Sequence, residues 1–474
     1  MTAPALATAV SEPRAFTSRA SNTAEFVERS LAENTHRDGL LRVAVTAPLS
    51  SPEVLLDEAS SEPALVWDPP AGSSELGSAF AGLGAVRSFE LRGPGRFPDL
   101  IQRSRGLWRE LETVAEAGCE VPAARLFGGF SFAVGSADEE PWSELGDGYF
   151  FLPRFTWARR GESAILSLTV DAGQELGPGR AAEWAEQVEN LLGRLEASPR
   201  PTVLGRPAAI HRPEREAWDR QIEAIRHEIL AGRFQKIVAA SHTVVEFADE
   251  IETAALLGRL GQGRRGSTRF AFRRGGVSFL GASPERLIAR RGLAIETESL
   301  AGSIAAGAEH APQLLGSGKD LHEHQLVVDS ILRRLESLCR RLEVPEGPRI
   351  LEARSVQHLH TPISGELREP RHVLELVETL HPTPAVGGVP TEAAVRWIVE
   401  HEPAPRGWYA GPVGWFDASG DGEFAVALRS CLLRGREAHV YAGAGIVRDS
   451  DPELEYAETE LKKRPILGTL GVEG

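Results

Sequence analysis

Carboxylates three residues apart recur in two stretches of this chain: Asp320 and Glu323 in "KDLHEHQLVV", and Glu455 and Glu458 in "DPELEYAETELKK". On a helix that spacing sets both acids on one face, about one turn apart. Two such helices converging would offer oxygen ligands to a hard divalent cation. Mg²⁺ takes one or two carboxylates and completes its shell with water and substrate oxygens. The competing reading is a solvated charged face whose Glu458–Lys462 pair contributes roughly 0.2–0.5 kcal/mol. Elsewhere, "RFQKIVAASH" sets Lys236 between Phe234 and Val238 on one strand face. Burial there would weaken the ammonium and suit the lysine to act as a base. An edge-strand lysine that blocks aggregation has the same pattern. Glu285 follows a Ser-Pro turn in "FLGASPERLIARR", where it serves either as an acid or as an ordinary turn residue. Arg429 shares a strand face with Ala425 and Ala427. Small neighbours leave room for a ligand carboxylate, or a protein acid, to reach its planar fork. His322 and His324 are two residues apart, so they lie on different helix faces. Neither has a cysteine partner, which sets a zinc reading aside.

The elements that must position these groups are partly readable. The second acid pair starts a helix capped by Asp451, with Pro452 in its first turn and Leu454, Ala457 and Leu461 as the inward stripe. The first pair lies on a helix over 319–338, with Val327 or Val328, Ile331, Leu335 and Leu338 facing inward. "TESLAGSIAAG" (297–307) reads as a small-residue loop that lets backbone N–H groups approach a ligand. "DGEFAVALRSCLL" (421–433) reads as a strand with Phe424, Val426, Leu428 and Leu432 on one face. "YAGAGIV" lacks the full dinucleotide fingerprint, and the Pro/Gly-rich "LHPTPAVGGVP" suits a stiff, shaped loop. Upstream, 125–132, 148–160 and 164–170 alternate as antiparallel strands, and 181–195 is helical. A Pro-rich break at 196–207 precedes a helix marked by Trp218, Ile222, Ile225 and Ile229. Strands and helices mix without a strict βαβ rhythm, so the expected class is α+β with extensive antiparallel sheets flanked by helices.

Composition narrows the function. The 474 residues carry a formal net charge of −15, which argues against nucleic-acid and anionic-membrane partners. An anionic substrate would therefore need locally supplied positive charge. Three cysteines without paired spacing suit a reducing, cytoplasmic setting, and no apolar run reaches transmembrane length. Residues 1–35 are expected to be a disordered tail, followed by an N-terminal portion over 36–200 and a catalytic portion over 208–474. A monomer or weak homodimer is expected.

In their order along the chain, these motifs resemble the chorismate-utilising enzymes, and within them those that isomerise chorismate to isochorismate. The likeness is carried by "FQKIVAAS", "FLGASPERL", "ESLAGS", "KDLHEHQLVV", "VQHLHTPISG", "LHPTPAVGG", "RGWYAGPVGW", "FAVALRS" and "YAGAGIVRDSDPELEYAET", spanning about 234 to 460. The first half shows only looser likeness, in "GGFSF" and "FFLPRF". The resemblance implies one large chorismate-binding fold, so that 196–207 is an internal linker. It also implies Mg²⁺ held by Glu323 and Glu458, with Asp320 and Glu455 acting nearby through water. Lys236 matches the family's base and Glu285 its acid. Arg429, Tyr409 and the backbone at Gly443 match positions that hold the pyruvyl carboxylate, while Gly302, Ser303, His358, Ala385 and Lys462 match further substrate contacts. Ala301 replaces the lysine nucleophile of the aminating members. Ala385 stands where the lyases tend to carry Thr, favouring isochorismate as the end product. Ser303 stands where Thr is frequent and keeps the hydroxyl. The menaquinone-pathway pattern is the more similar. A salicylate- or anthranilate-forming lyase, or a non-catalytic chorismate-binding module, are the alternatives.

Overall fold

The computed structural model describes residues 16–36, 38–58, 62–70, 78–197, 204–261, 266–352 and 356–472, with side chains from residue 23 onward. Long alternating strands dominate. Ala79–Leu91 pairs antiparallel with Gly148–Arg160, which in turn pairs with Ser163–Asp171, and the last two are buried on both faces along most of their length. Two further pairings cross from the first half of the chain to the second: Ala64–Asp68 with Thr268–Arg274, and Arg125–Phe130 with Pro412–Asp417. The strands of both halves thus belong to one hydrogen-bonded network of 21 strands among the described residues. Every register in it is antiparallel except that of Leu40–Ala47 with Leu111–Ala115. Helices cover the sheet faces, giving the expected α+β architecture.

The core is aromatic. Trp142, Trp408, Trp415, Phe130 and Phe150 are fully buried in one cluster, and a second cluster gathers around Val43, Trp157, Leu256 and Val440. Truncating any one of the large rings would cost about 3–5 kcal/mol.

Four local readings are corrected. Residues 1–15 lie outside the described residues, but the expected tail does not run to 35. Phe16–Ala32 is a helix whose Val27 and Leu31, one turn apart, are buried where it packs on the Arg180–Glu196 helix. The 297–307 stretch is not a loop. It belongs to the strand Ala294–Ala305, paired with Val356–Leu367, and its register shifts between Ala301 and Ser303, where Gly302 has φ of 71°. A bulge there needs the left-handed backbone that glycine supplies without strain. The 421–433 stretch is two strands, Gly422–Val426 and Ser430–Arg434, broken at Arg429, whose φ is 49°. Finally, the helix Pro452–Thr469 is capped by Asp451 as expected, but its apolar stripe faces outward: Leu454 is 67% exposed. The buried side runs through Glu455, Thr459 and Lys463 before reaching Ile466. The surface it meets is polar, with Lys463 bonded to Ser241 and Thr243, so apolar spacing could not locate it.

Candidate functional site

Lys236 opens the strand Lys236–Phe247, which is flanked by Glu437–Ile446 and by the short Gly388–Val389 strand. It is therefore interior, not an edge lysine, and its side chain is wholly buried. Its Nζ donates to Glu323 Oε1 at 2.7 Å, joining the sheet to the helix Gly318–Leu335. Gly445, on the neighbouring strand, makes room for this pair. A Cβ there would meet Glu323 Oε1 and come within 2.7 Å of Lys236 Cε. Burial alone would raise the Glu323 carboxyl. Lys236, by charge and hydrogen bond, then Lys462 and Lys319, outweigh it and hold Glu323 below the usual range.

Glu285 faces the same pocket from a pinned corner. Ser283 Oγ donates to the Val426 carbonyl at 2.6 Å and accepts from the Glu285 N–H at 3.2 Å. Burial, reinforced by Glu298, pushes the Glu285 carboxyl up to about 8 against the opposing pull of Lys236, Lys462 and Arg429. It is thus a protonated acid at neutral pH, able to donate.

The opposite wall is cationic and polar. Arg429 Nη2 donates to His358 Nε2 at 3.1 Å, and His358 Nδ1 lies 2.9 Å from Ser303 Oγ and 3.3 Å from the Gly302 carbonyl. Burial first, then Arg429 and Lys462, hold His358 well below its ordinary value, so the ring is neutral. With Nε2 accepting, its proton sits on Nδ1. Tyr409, pushed up to about 12 chiefly by burial, remains a neutral phenol. Lys462 Nζ donates to the Gly443 carbonyl at 2.9 Å and pairs with Glu458 at 2.6 Å.

Ten of the predicted residues line one cavity of about 60 Å³: Glu285, Gly302, Ser303, Glu323, His358, Ala385, Tyr409, Arg429, Gly443 and Lys462. Lys236 stands behind Glu323, not in the wall itself. Asp320, Glu455 and Glu458 lie outside the wall on the two helices. A larger cavity of about 630 Å³, lined by Arg125, Arg159, Arg160 and Arg291, lies elsewhere, and none of the predicted site residues lines it.

Among the described residues, no three metal-ligating side chains form a ready cage. The acids nonetheless fit a hard cation that binds through few carboxylates and keeps its water. Glu455 is 1% exposed, bonds Lys319 through Oε1 at 2.6 Å, and leaves Oε2 without a close partner, Ser450 giving only weaker support. Burial and then Glu458 raise its carboxyl against Lys319. Asp320 is raised by burial, with Glu323 and Glu458 adding to the effect and Ser317 opposing it. Carboxylates that repel one another around an unsatisfied oxygen are short of positive charge. Of the second acid pair, Glu455 is the more buried and Glu458 the more exposed.

Sequence reasoning missed several neighbours. Glu298 helps hold Glu285 protonated. Arg406 ties the 380–390 loop to the Lys236–Phe247 strand, donating to the Val386 and Val238 carbonyls at 2.7 and 2.8 Å. Lys319 opens the "KDLHEHQLVV" motif, and its partner Glu455 lies 136 residues away. No local pattern signals such a contact.

With this geometry in hand, comparison with known proteins is informative. The family model described as chorismate binding enzyme matches residues 25–471. The isochorismate synthase MenF of Bacillus subtilis is 38% identical over 73% of this chain and 75% of its own. The salicylate biosynthesis isochorismate synthase of Pseudomonas aeruginosa is also 38% identical, over 84% and 83%. The solved structure of MenF, the menaquinone-specific isochorismate synthase from Escherichia coli, superposes with a TM-score of 0.76 at 28% identity. It covers 95% of this chain and 100% of that one.

Proposed function

The chain belongs to the chorismate-binding enzymes, and from that premise we infer that it is an isochorismate synthase, an isomerase that converts chorismate to isochorismate. The observation that carries this reading at the level of chemistry is a protonated Glu285 in the wall of one pocket, with a buried Lys236 directly behind Glu323 and a far wall that is cationic.

The reaction adds water at ring C2 while the C4 hydroxyl departs and the intervening double bonds shift. Hydroxide leaves poorly, so Glu285 delivers its proton to the C4 oxygen and the group departs as water. Water attacks poorly, so Lys236, as the neutral amine, takes a proton from the molecule that bonds to C2. Each transfer is worth roughly 10²–10⁴ in rate. Return of the proton from Lys236 to Glu285 through solvent restores the enzyme, with no net change in atoms beyond the isomerisation. In the resting structure Lys236 Nζ donates to Glu323 Oε1, so this bond must open before Lys236 can take the proton.

Arg429, Tyr409 and the backbone at Gly443 would hold the pyruvyl carboxylate. Arg429 does so through its fork, oriented by the neutral His358. Mg²⁺, held by Glu323 and Glu458, would supply charge to the ring carboxylate and screen the dianion from the acidic helices. Asp320 and Glu455 would act on it through water. Ala301 offers no nucleophile, and Ala385 leaves a methyl at the wall, both in keeping with an isomerase. The three unpaired cysteines support a reducing, cytoplasmic compartment.

The test is NMR of the products formed from chorismate with Mg²⁺ and without ammonia. Isochorismate as the one new species, lost on chelation, is the expected result. Salicylate with pyruvate would overturn the isomerase reading.

A further inference from the structure

Three lysines neutralise the acids of the two helices: Lys236 on Glu323, Lys462 on Glu458 and Lys319 on Glu455, at 2.7, 2.6 and 2.6 Å. Lys462 lines the pocket and Lys236 stands directly behind its wall, and both are accounted for above. Lys319 is not. It sits in the first turn of the helix Gly318–Leu335, outside the pocket wall, and bridges to the helix Pro452–Thr469. A cation in the first turn opposes the helix macrodipole. What favours it most is Glu455, with Glu458 and its own helix's Glu323 adding to the attraction.

That partner is the unusual member of the set. Glu455 is almost fully buried, yet its one close side-chain bond is to a lysine that is 38% exposed, and Oε2 has no close partner, the Ser450 hydroxyl lending only weaker support. A buried carboxylate held from one side by a half-solvated ammonium is incompletely satisfied. The long aliphatic stem of Lys319 leads toward water, so its head can move to solvent without unfolding the helix.

We propose that Lys319 is a stand-in cation: it holds the Glu455 carboxylate while the metal is absent, withdraws to solvent when Mg²⁺ binds, and thereby sets the affinity for the ion. This rests on the reading of Glu323 and Glu458 as the magnesium site. Lys319 is a positioning residue, touching neither substrate nor reacting atoms. Its positive charge beside the acids opposes the incoming cation, and breaking its bond to Glu455 is part of the cost of binding.

Calorimetric titration of the full chain with MgCl₂, without chorismate, tests this on the wild type, Lys319→Gln and Lys319→Arg. Removing the competing charge should tighten Mg²⁺ binding by roughly two- to fivefold in Lys319→Gln, the scale of a partly exposed ion pair. Lys319→Arg, which keeps the charge, should bind as the wild type does. The thermal midpoint should also rise further on adding Mg²⁺ to Lys319→Gln than to the wild type. If Lys319→Gln fails to fold, Lys319→Met gives the same readout with a side chain of similar length. A wild type that takes no Mg²⁺ would remove the metal reading and this proposal together. A wild type that binds Mg²⁺, with Lys319→Gln binding equally or more weakly, would leave the metal reading standing and reduce Lys319 to a tether between helices.

Discussion

Replacing Glu285 with Gln should trade activity for stability, and the structure fixes how that trade depends on pH. The Glu285 carboxyl is raised from its ordinary 4.5 to about 8, burial being the main cause. Between those values the unfolded chain releases the proton while the folded chain keeps it. Stability therefore falls as pH rises through this window, by about 1.4 kcal/mol per pH unit. By pH 7 the accumulated penalty is about 3 kcal/mol. A glutamine of the same shape does not titrate, so Glu285→Gln escapes the penalty. Its advantage over the wild type should be near zero at pH 4.5 and about 3 kcal/mol at pH 7. Glutamine has no acidic proton to give, so kcat should drop by about 10²–10⁴. Wild-type kcat should fall above pH 8, to about a tenth of its plateau one unit higher. The assays are urea midpoints at several pH values for both proteins, with isochorismate formation followed in parallel. An advantage for Glu285→Gln that does not change with pH would refute the argument that burial keeps this acid protonated. Retained activity would refute its role as proton donor.

Further outcomes follow from the same geometry. Lys236→Ala leaves Glu323 buried without its partner and should cost about 3–5 kcal/mol in denaturant unfolding, besides abolishing turnover. Gly445→Ala places a methyl against Glu323 Oε1 and Lys236 Cε. It should lower kcat sharply while global stability falls by only about 1–3 kcal/mol, as read by thermal unfolding and product assay. Arg429→Lys keeps the charge but loses the fork and its bond to His358. Steady-state kinetics should show kcat/KM reduced about 10- to 100-fold, with a raised KM for chorismate.

What was legible in the sequence is what short-range periodicity encodes. Alternation located the strands around 125–132, 148–160 and 164–170, and acid spacing put Asp320 with Glu323 and Glu455 with Glu458 on common helix faces. The Asp451 cap was readable because its partners, the N–H groups of Glu453 and Leu454, are two and three residues away. The order of motifs pointed to the fold and to ten residues of one pocket wall. What only the tertiary structure decided is the environment of each group. Lys236 read equally well as an edge lysine until a strand on either side enclosed it. Leu454 read as core until the opposing surface proved polar and turned Glu455 inward instead. The partners that set charge lie far off in the chain: Glu323 is 87 residues from Lys236, and His358 is 71 from Arg429. Electrostatics and desolvation act through space, so a residue's ionisation depends on which distant elements the fold brings against it.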